Sequence, residues 1–358
     1  MPLRMPVVWS DRHRLHQPGG EVWVGVRTPG TELPERAERI RTELEREGVR
    51  LMDAEAQPDD ALLAIHDRAL LDYLAHAWEE WDGAGLTGDP GQDRVVPYIF
   101  PHPGLFSGFE PAVPAAPSAR AGHFAFDTMT LIGPGTWEAA RAAVDAAVTA
   151  AGLVVGGERA AYACCRPPGH HATRTCFGGS CYLNNAAAAA VRLRSGVDGP
   201  VAVIDVDAHH GNGTQAIFYE DAGILTGSVH VDPGAGWFPH FLGFERETGG
   251  GAGAGANRNV PLAPGSGDGP WVEAVRDVAA WARAGGAAAL VVALGVDAAG
   301  GDPESPLEVT AAGFRTAGQV LGELRLPTVL VQEGGYELAT LGPLVREVLG
   351  GVEEGLGG

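Results

Sequence analysis

The segment 201–215, VAVIDVDAHHGNGTQ, begins as the apolar run of a buried strand and ends in acids, histidines and glycines. Burying polar side chains is costly unless a partner uses their lone pairs, so the end of this run indicates a ligand site. Asp207 and His209 stand two apart, which puts their side chains on the same side of an extended strand end. A carboxylate and an imidazole on one side are two ligands for a divalent cation.

Asp297, at the end of the apolar run VVALGVD, is a candidate third ligand from a neighbouring strand. Three protein ligands with an open fourth position are typical of a catalytic zinc site, and two carboxylates also leave room for Fe2+ or Co2+. The alternative is a network of acids and histidine that only caps strand ends with hydrogen bonds. Asp207 and His209 alone do not distinguish the two.

The tandem histidines His170 and His171 follow a stiff Pro-Pro-Gly turn in the segment RPPGHHA, 166–172. No third histidine stands at ligand spacing, which favours acid–base chemistry beside the cation. Asp205 and Asn212 are candidate partners for the two rings. A histidine paired with an aspartate favours the imidazolium, whereas one paired with an asparagine stays neutral and can act as a base. The residues alone leave the pairing open.

Tyr336 lies on a Gly-Gly turn, EGGYE (333–337), after another apolar run. A phenol there can donate a hydrogen bond to a developing oxyanion, a contribution of about 3–4 kcal/mol for one good donor. The alternative is a partly buried tyrosine without a catalytic role.

Four apolar runs precede these polar clusters: AAYACC, VAVIDV, AALVVALGV and PTVLVQ. Helical patterns separate them, which predicts βαβ units and a parallel sheet buried on both faces. In such α/β sheets, ligands bind at the carboxyl ends of the strands, and each cluster lies at such an end.

Helices are predicted over 33–48, where Gly48 ends the helix, over 58–81, and over 135–155 with Thr136 as the N-cap. The intervening segment 83–122 is rich in proline, glycine and aromatic residues. It is too long for an ordinary connection, and such loops are usually functional.

The composition, 45% hydrophobic and 20% charged over 358 residues, is that of a globular chain. No apolar run approaches the roughly 20 residues of a membrane span, and the N-terminus lacks a secretory pattern. The four cysteines have neither metal-knuckle nor disulfide spacing. We therefore expect a cytoplasmic protein with reduced thiols that does not bind a membrane.

The net charge is −20, and all 25 basic residues are arginine. Such an acidic field repels nucleic acid and favours a cationic small molecule or a basic peptide. The alternative is that the charge only maintains solubility.

Six motifs occur in the order and spacing of the histone deacetylase family: RPPGHHA, GGSCYLNNAAAA, DVDAHHGNGTQ, FPHFLGF, LGVDAAGGDP and QEGGY. The chain resembles most closely the bacterial, class II-like acetylpolyamine amidohydrolase branch, over about residues 7–350. The resemblance implies an arginase/deacetylase α/β fold. We expect a single domain over 1–358 with a central eight-stranded parallel sheet, helices on both faces and an insertion at about 83–122.

The resemblance also implies a zinc-dependent hydrolase of linear amides, with Asp207, His209 and Asp297 as the metal ligands. Tyr336 resembles the residue that polarises the scissile carbonyl together with the metal. Arg36, in PERAERI, resembles the arginine below the metal that serves acetate exit.

For the histidine pair, the resemblance implies distinct roles. His171 would be the general base that also protonates the leaving amine, with Asn212 behind it. His170 would be the electrostatic partner, with Asp205 behind it. Structural potassium is implied at two sites, with candidate ligands Asp205, Asp207, His209, Ser228 and Val229 at the first and Phe218, Asp221 and Ile224 at the second.

Two positions depart from the pattern of facing aromatics in the family's substrate tunnel. Phe238 fits one position, but Ser180, after Gly179, stands at the other, which predicts a wider or wetter tunnel. Glu304, in GDPESP, replaces an apolar residue at the tunnel mouth and would attract a distal ammonium. The alternative for Glu304 is a solvated loop residue.

The leading hypothesis is a deacetylase of small cationic N-acetyl amides such as acetylpolyamines. The alternatives are a protein acetyl-lysine deacetylase, an amidase for a secondary metabolite or longer acyl group, and a non-catalytic acyl-ligand binding protein. The resemblance also implies a homo-oligomer, a dimer or a dimer of dimers.

Overall fold

A parallel β-sheet forms the centre of the part of the chain that the computed structural model describes, residues 3–88 and 91–357. The strands are β1 (Val7–Trp9), β2 (Glu21–Trp23), β3 (Val26–Thr28), β4 (Leu51–Asp53), β5 (Ala160–Ala163), β6 (Val201–Asp205), β7 (Ile224–Val231), β8 (Asn257–Leu262), β9 (Ala289–Leu294) and β10 (Thr328–Gln332). Eight of them form one sheet in the order β4-β1-β5-β10-β9-β6-β7-β8, with every adjacent pair parallel. The expected eight-stranded parallel sheet is confirmed, and β2 and β3 form a separate antiparallel hairpin.

Helices cover both faces of this sheet. They are α1 (Glu35–Arg46), α2 (Asp59–Leu63), α3 (Arg68–Gly83), α4 (Pro117–Phe124), α5 (Thr136–Val155), α6 (Asn185–Arg194), α7 (Asn212–Phe218), α8 (Asp268–Ala284), α9 (Ala311–Gly322) and α10 (Leu341–Leu356). Along β6, Ala202 and Ile204 belong to the core shared with α1, α8, α9 and α10, whereas Val201 and Val203 belong to the core shared with α3, α5 and α6. Because successive strand residues point to opposite faces, the near-continuous apolar runs follow from burial on both sides.

The helix predicted over 58–81 is wrong as one element, because residues 64–67 separate α2 from α3. His66 Nδ1 lies 2.8 Å from the Thr173 carbonyl oxygen, and the Asp67 amide donates to Arg174 O at 2.9 Å. These long-range contacts break a helix that the local apolar spacing favours.

Thr136 does not cap α5 as predicted. Gly135, in the left-handed region at φ 79°, holds the cap position. The Thr136 hydroxyl instead accepts from the Gly133 amide and bonds His16 Nδ1, each at 3.0 Å. The side chain therefore fixes the approach to the helix.

The predicted loop over 83–122 is partly helical, because α3 extends to Gly83 and α4 begins at Pro117. Asp89 and Pro90 lie outside the described residues. Between the two helices, Tyr98, Leu105 and Phe109 are exposed. Among the helices of the described residues, none has the length and apolar character required to cross a membrane.

The polar clusters meet because their strands are neighbours. In the sheet, β5, β10, β9 and β6 are consecutive, and each is followed at its carboxyl end by one of the polar segments singled out in the sequence. Parallel strands deliver these segments to one edge, as the α/β rule predicts.

Candidate active site

Asp207, His209 and Asp297 form a compact cluster in which one ligand atom from each lies within 4.8 Å of the others. His209 Nδ1 is 3.2 Å from Asp207 Oδ1 and 3.0 Å from Asp297 Oδ2. Both carboxylates are fully buried, whereas His209 lines an open cavity. The structure thus brings together the three side chains that the sequence singled out.

Strand periodicity does not explain this convergence. Because β6 ends at Asp205, Asp207 and His209 lie in the turn that follows it, and the expected extended geometry is wrong. Backbone amides orient the carboxylates instead: His209 N donates to Asp207 Oδ1 at 2.9 Å and Ala208 N donates to Asp297 Oδ1 at 2.8 Å. The turn itself therefore shapes the site.

The cluster fits a divalent cation. Gly334 N donates to Asp207 Oδ2 at 2.7 Å, and a Cβ at residue 334 would collide with carboxylate oxygens of both Asp207 and Asp297. Burial and the charge of Asp207 raise the pKa of Asp297 to about 7. A cation would relieve the repulsion between the two buried acids, and their donor set suits Zn2+, Fe2+ or Co2+.

His170 pairs with Asp205, as its Nδ1 lies 2.9 Å from Asp205 Oδ2. Its Nε2 lies 3.9 Å from Asp207 Oδ1, and the ring is buried. Burial opposes the charged form, but the Asp205 and Asp207 carboxylates raise the pKa of His170 to about 10. This ring is therefore an imidazolium at neutral pH.

His171 pairs with Asn212, whose Oδ1 lies 2.7 Å from His171 Nδ1. Burial and the positive charges of His170 and His209 hold the pKa of His171 well below its usual value. The amide oxygen of Asn212 accepts a hydrogen bond from Nδ1–H, so the proton stays on Nδ1 and the lone pair is on Nε2. This geometry resolves the pairing that the sequence left open.

Asn212 begins α7, so this partner is supplied by a helix start rather than by a strand end. The amides of Gly213 and Thr214 donate to the His170 carbonyl at 3.0 and 3.1 Å. The first turn of α7 thereby fixes the backbone of the histidine pair as well as one of its rings.

Tyr336 lines the same cavity as His171 and His209. Its amide donates to Asp302 Oδ2 at 2.8 Å, and the Arg36 guanidinium lies 4.5 Å from the centroid of its ring. Burial raises the pKa of the Tyr336 phenol well above its usual value, so the hydroxyl keeps its proton and remains a donor.

The cavity at this site has a volume of about 310 Å3. Phe238, Gly179, Ser180 and Glu304, the four predicted substrate contacts, all line it. The Phe238 ring packs edge-on against His171 with 4.8 Å between centroids. A Cβ at residue 179 would collide with the His171 ring, so only a glycine permits this close approach.

Sequence reasoning missed Glu21, which lies in β2 and lines the cavity with Trp23 and Glu304. Burial and the charge of Glu304 raise the pKa of Glu21 to about 7. The Thr31 hydroxyl donates to Glu304 Oε1 at 2.7 Å. The only local feature that could have identified Glu21 is its place two residues before Trp23 on a short strand. Its position at the cavity depends on the tertiary fold, which brings the hairpin there.

Sequence reasoning also missed Glu333, which is fully buried. Its Oε2 accepts from the amides of Gly169 at 2.6 Å and His170 at 3.1 Å. Burial raises the pKa of Glu333 to about 8, despite the positive charge of His170. The side chain supports the backbone of the histidine turn.

The candidate potassium ligands fall into two groups. Asp205 pairs in register with Ser228, and Val229 follows, so the first group lies beside Asp207 and His209. Phe218 ends α7 and Ile224 begins β7. Between them, the Asp221 carboxylate binds Arg194 at 2.6 Å. Potassium at either place stays a prediction.

Arg36 is buried behind Tyr336 with its donors engaged. Its Nε donates to Gly335 O at 2.6 Å, one terminal nitrogen to Glu333 O at 2.5 Å and the other to Glu32 Oε1 at 3.0 Å. These contacts place Arg36 where it supports the Tyr336 turn. Its role in acetate exit stays a prediction.

Three features meet at one cavity: a neutral imidazole, a protonated phenol and a cluster suited to a divalent cation. Together they are the groups that hydrolysis of an amide requires. Comparison with known proteins gives the family. Residues 30–352 match the family described as "Histone deacetylase domain". The chain belongs to this family.

The similar proteins include acetylpolyamine amidohydrolases. The one from Mycoplana ramosa is 39% identical over 349 residues, which cover 97% of this chain and 99% of that protein. Acetylpolyamine amidohydrolase 1 of Pseudomonas aeruginosa is 40% identical over 352 residues, with 97% and 98% coverage. The crystal structure of acetylpolyamine aminohydrolase from Burkholderia pseudomallei superposes with a TM-score of 0.92 at 36% identity and covers 98% of this chain and 99% of that one. The resemblance to this branch is confirmed.

Proposed function

We propose that the protein is a metal-dependent deacetylase that releases acetate from small cationic N-acetyl amides such as acetylpolyamines. One observation carries the proposal: the cavity that holds His171, His209 and Tyr336 is also lined by the carboxylates of Glu21 and Glu304. The acylated end of a substrate would meet the hydrolytic groups while its ammonium meets the acids. The names of the similar amidohydrolases support the same substrate class.

A divalent cation held by Asp207, His209 and Asp297 would supply a Lewis acid that polarises the amide carbonyl and lowers the pKa of water. His171, neutral at Nε2, takes the proton from the attacking water and later gives it to the leaving amine. The His170 imidazolium adds positive charge beside the developing oxyanion. The Tyr336 hydroxyl donates a hydrogen bond to that oxyanion.

The acids of the cavity would favour a cationic substrate over a neutral one. Burial and the charge of Glu304 disfavour the ionised form of Glu21 and raise its pKa to about 7, so a substrate ammonium beside the two acids would favour the ionised form. A neutral amide gains nothing from the pair. A panel of acetylated polyamines, acetyl-lysine peptides and longer acyl-lysines, compared by kcat/KM, tests the proposal, which requires the acetylated polyamines to be the best substrates.

Glu304→Leu is expected to lower kcat/KM for acetylated polyamines about three- to thirty-fold and to leave neutral acetyl-amides unchanged or improved. The carboxylate is half-exposed, so its attraction for an ammonium is screened and its loss does not abolish activity. Added salt is expected to narrow the difference between cationic and neutral substrates in the wild type. Steady-state kinetics on both substrate types measures these effects.

Glu308→Leu is the matched control, because Glu308 is an exposed acid in the same loop and is absent from the cavity lining. It should change neither substrate type. If Glu304→Leu affects cationic and neutral substrates alike, Glu304 is a solvated loop residue and selectivity for polyamines has to rest elsewhere.

A second candidate, an amidase for bulkier acyl groups, is favoured by Ser180. Its small side chain lines the cavity, with φ at 61° and its amide bonded to Thr130 Oγ1 at 2.8 Å. The space beside Phe238 is thus not filled by a second ring from this position.

Ser180→Phe is expected to lower KM for acetyl substrates and to exclude longer acyl groups, because a ring would occupy that space. Competition kinetics with acetyl and hexanoyl amides checks this, and Ser180→Ala is the control for loss of the hydroxyl. Unchanged acyl preference in Ser180→Phe would show that residue 180 does not border the bound acyl chain.

Several further features belong to the same proposal. They are zinc as the native metal, the two structural potassium sites, a single deacetylase domain over 1–358, a homo-oligomer and a cytoplasmic location without nucleic-acid or membrane partners. Elemental analysis and the mass of the protein in solution test the metal content and the assembly.

A further inference from the structure

Glu32 is a buried carboxylate shared by two buried arginines. Its Oε1 accepts from Arg36 at 3.0 Å and from Arg166 Nε at 2.7 Å, and its Oε2 accepts from Arg166 at 3.0 Å. All three residues are 2% exposed, and none lines the 310 Å3 cavity. The group therefore lies behind the site and does not face the substrate.

The first arginine, Arg36, contacts the tyrosine turn, residues 333–337. Arg36 donates to the carbonyls of Gly335 and Glu333, and its guanidinium lies over the Tyr336 ring. A shift of Arg36 would move both the backbone and the ring of the proposed oxyanion donor.

The second arginine, Arg166, begins the histidine turn, residues 166–171. Arg166 immediately precedes the Pro-Pro-Gly turn before His170. It also donates to the carbonyls of His13 at 2.6 Å and His16 at 3.1 Å, so its guanidinium is held on two sides. The planar, bidentate contact with Glu32 fixes where this turn begins.

Glu333 connects the tyrosine turn to the histidine turn. Arg36 holds the Glu333 carbonyl, while the Glu333 carboxylate accepts from the amides of Gly169 and His170. A third contact reaches the cavity, because Thr31, the neighbour of Glu32, donates to Glu304. Burial opposes the charge on Glu32, but Arg166 and Arg36 lower its pKa to about 2, so it is ionised.

We propose that Glu32 is a positioning residue that sets the distance between Tyr336 and the histidine pair without contacting the substrate. The inference rests on the proposed function for the roles of Tyr336 and His171. It requires that Glu32 act through these side chains, so its loss should slow the chemical step more than it weakens substrate binding.

Glu32→Gln keeps the shape of the side chain and removes the charge that both guanidinium groups share. We expect kcat to fall about 10- to 100-fold, the loss typical when a residue that orients the side chains of a metal site is replaced, with KM changed by less than about threefold. In a Tyr336→Phe background, the same substitution should cost far less, because the group it positions is already gone. An equal fractional loss of kcat in both backgrounds, or wild-type kcat in Glu32→Gln, would overturn the proposal.

Glu347→Gln is the matched control. Glu347 is also a carboxylate shared by two arginines, Arg315 at 2.7 Å and Arg346 at 2.8 Å, but it lies on α10 away from the cavity. It should leave kcat unchanged in both backgrounds. Wild-type turnover and the loss caused by Tyr336→Phe alone test the proposed function separately.

Hydrogen exchange supplies a measurement that does not need turnover. In Glu32→Gln, peptides spanning 166–171 and 333–337 should exchange faster than in the wild type, while peptides of α8 stay unchanged. Arg166→Lys retains the charge beside Glu32 and is expected to fold, but it loses the bidentate contact, so it should loosen mainly 166–171. Wild-type exchange of both turns in Arg166→Lys would refute the linkage even if Glu32→Gln fails to fold.

Discussion

Asp297→Ala is expected to lose both the bound divalent cation and all detectable amide hydrolysis. Asp297 is one of three side chains in the cluster, and its carboxylate is fully buried. With two protein ligands left, the site no longer has the three that catalytic zinc centres use. Elemental analysis after dialysis, with turnover of acetylated polyamines on the same samples, measures both losses.

Asp277→Ala is the control for this experiment. Asp277 pairs with Arg258 in a partly exposed ion pair away from the cluster, so its loss should alter neither metal content nor rate. A wild-type preparation free of divalent metal yet fully active would rule out the metal-dependent mechanism. Asp297→Ala with full metal content would instead mean that the cation binds elsewhere.

His171→Ala is expected to lower kcat about 100- to 10,000-fold while metal content stays at the wild-type level. A positioned general acid and base contributes a factor of this size, and His171 is the neutral ring that faces the cavity. Asn212→Ala should cost less, about 10- to 100-fold, because it removes only the group that orients the ring. Single-turnover kinetics and elemental analysis compare the two variants.

The contrast between the two variants is the informative result. His76→Ala, which removes an exposed histidine of α3 bonded only to the carbonyl of Asp72, should have wild-type kinetics. Near wild-type rates in His171→Ala would mean that another group moves the proton. If Asn212→Ala lowers kcat more than His171→Ala does, the contact that orients the ring contributes more to the rate than the proposed base, which contradicts these roles.

The sheet, and the edge of the sheet where the polar clusters lie, could be predicted from the sequence because both depend on local patterns of residues. Apolar runs of strand length, followed by polar residues, identified β5, β6, β9 and β10. Parallel strands then place the following segments together, so Asp207 and Asp297 could be expected near one another although 90 positions apart in the chain.

Contacts between distant segments were beyond such reasoning. The break at residues 64–67 depends on the carbonyls of Thr173 and Arg174. Thr136 has the residue type of a cap, yet His16 and Gly133 use its hydroxyl.

The supporting acids were missed for a related reason. Glu21 and Glu32 lie in none of the six motifs, and the QEGGY motif that contains Glu333 does not reveal that this side chain is buried or which partners the fold supplies. Only the tertiary structure shows that Glu21 lines the cavity, that Glu32 binds Arg36 and Arg166, and that Glu333 binds the backbone before the histidine pair.

The position of β10 has a consequence for the order in which the chain can fold. This strand, Thr328–Gln332, is the last of the sheet to be synthesised, yet it lies between β5 and β9 near the centre. In a nascent chain that ends before it, β5 and β9 each lack the partner that β10 supplies. Non-local pairing of this kind is slow, and the unpaired edges are prone to aggregation until it is complete. Such a chain also lacks the Gly334 amide that orients Asp207, so the cation cluster is completed only when the C-terminal segment inserts.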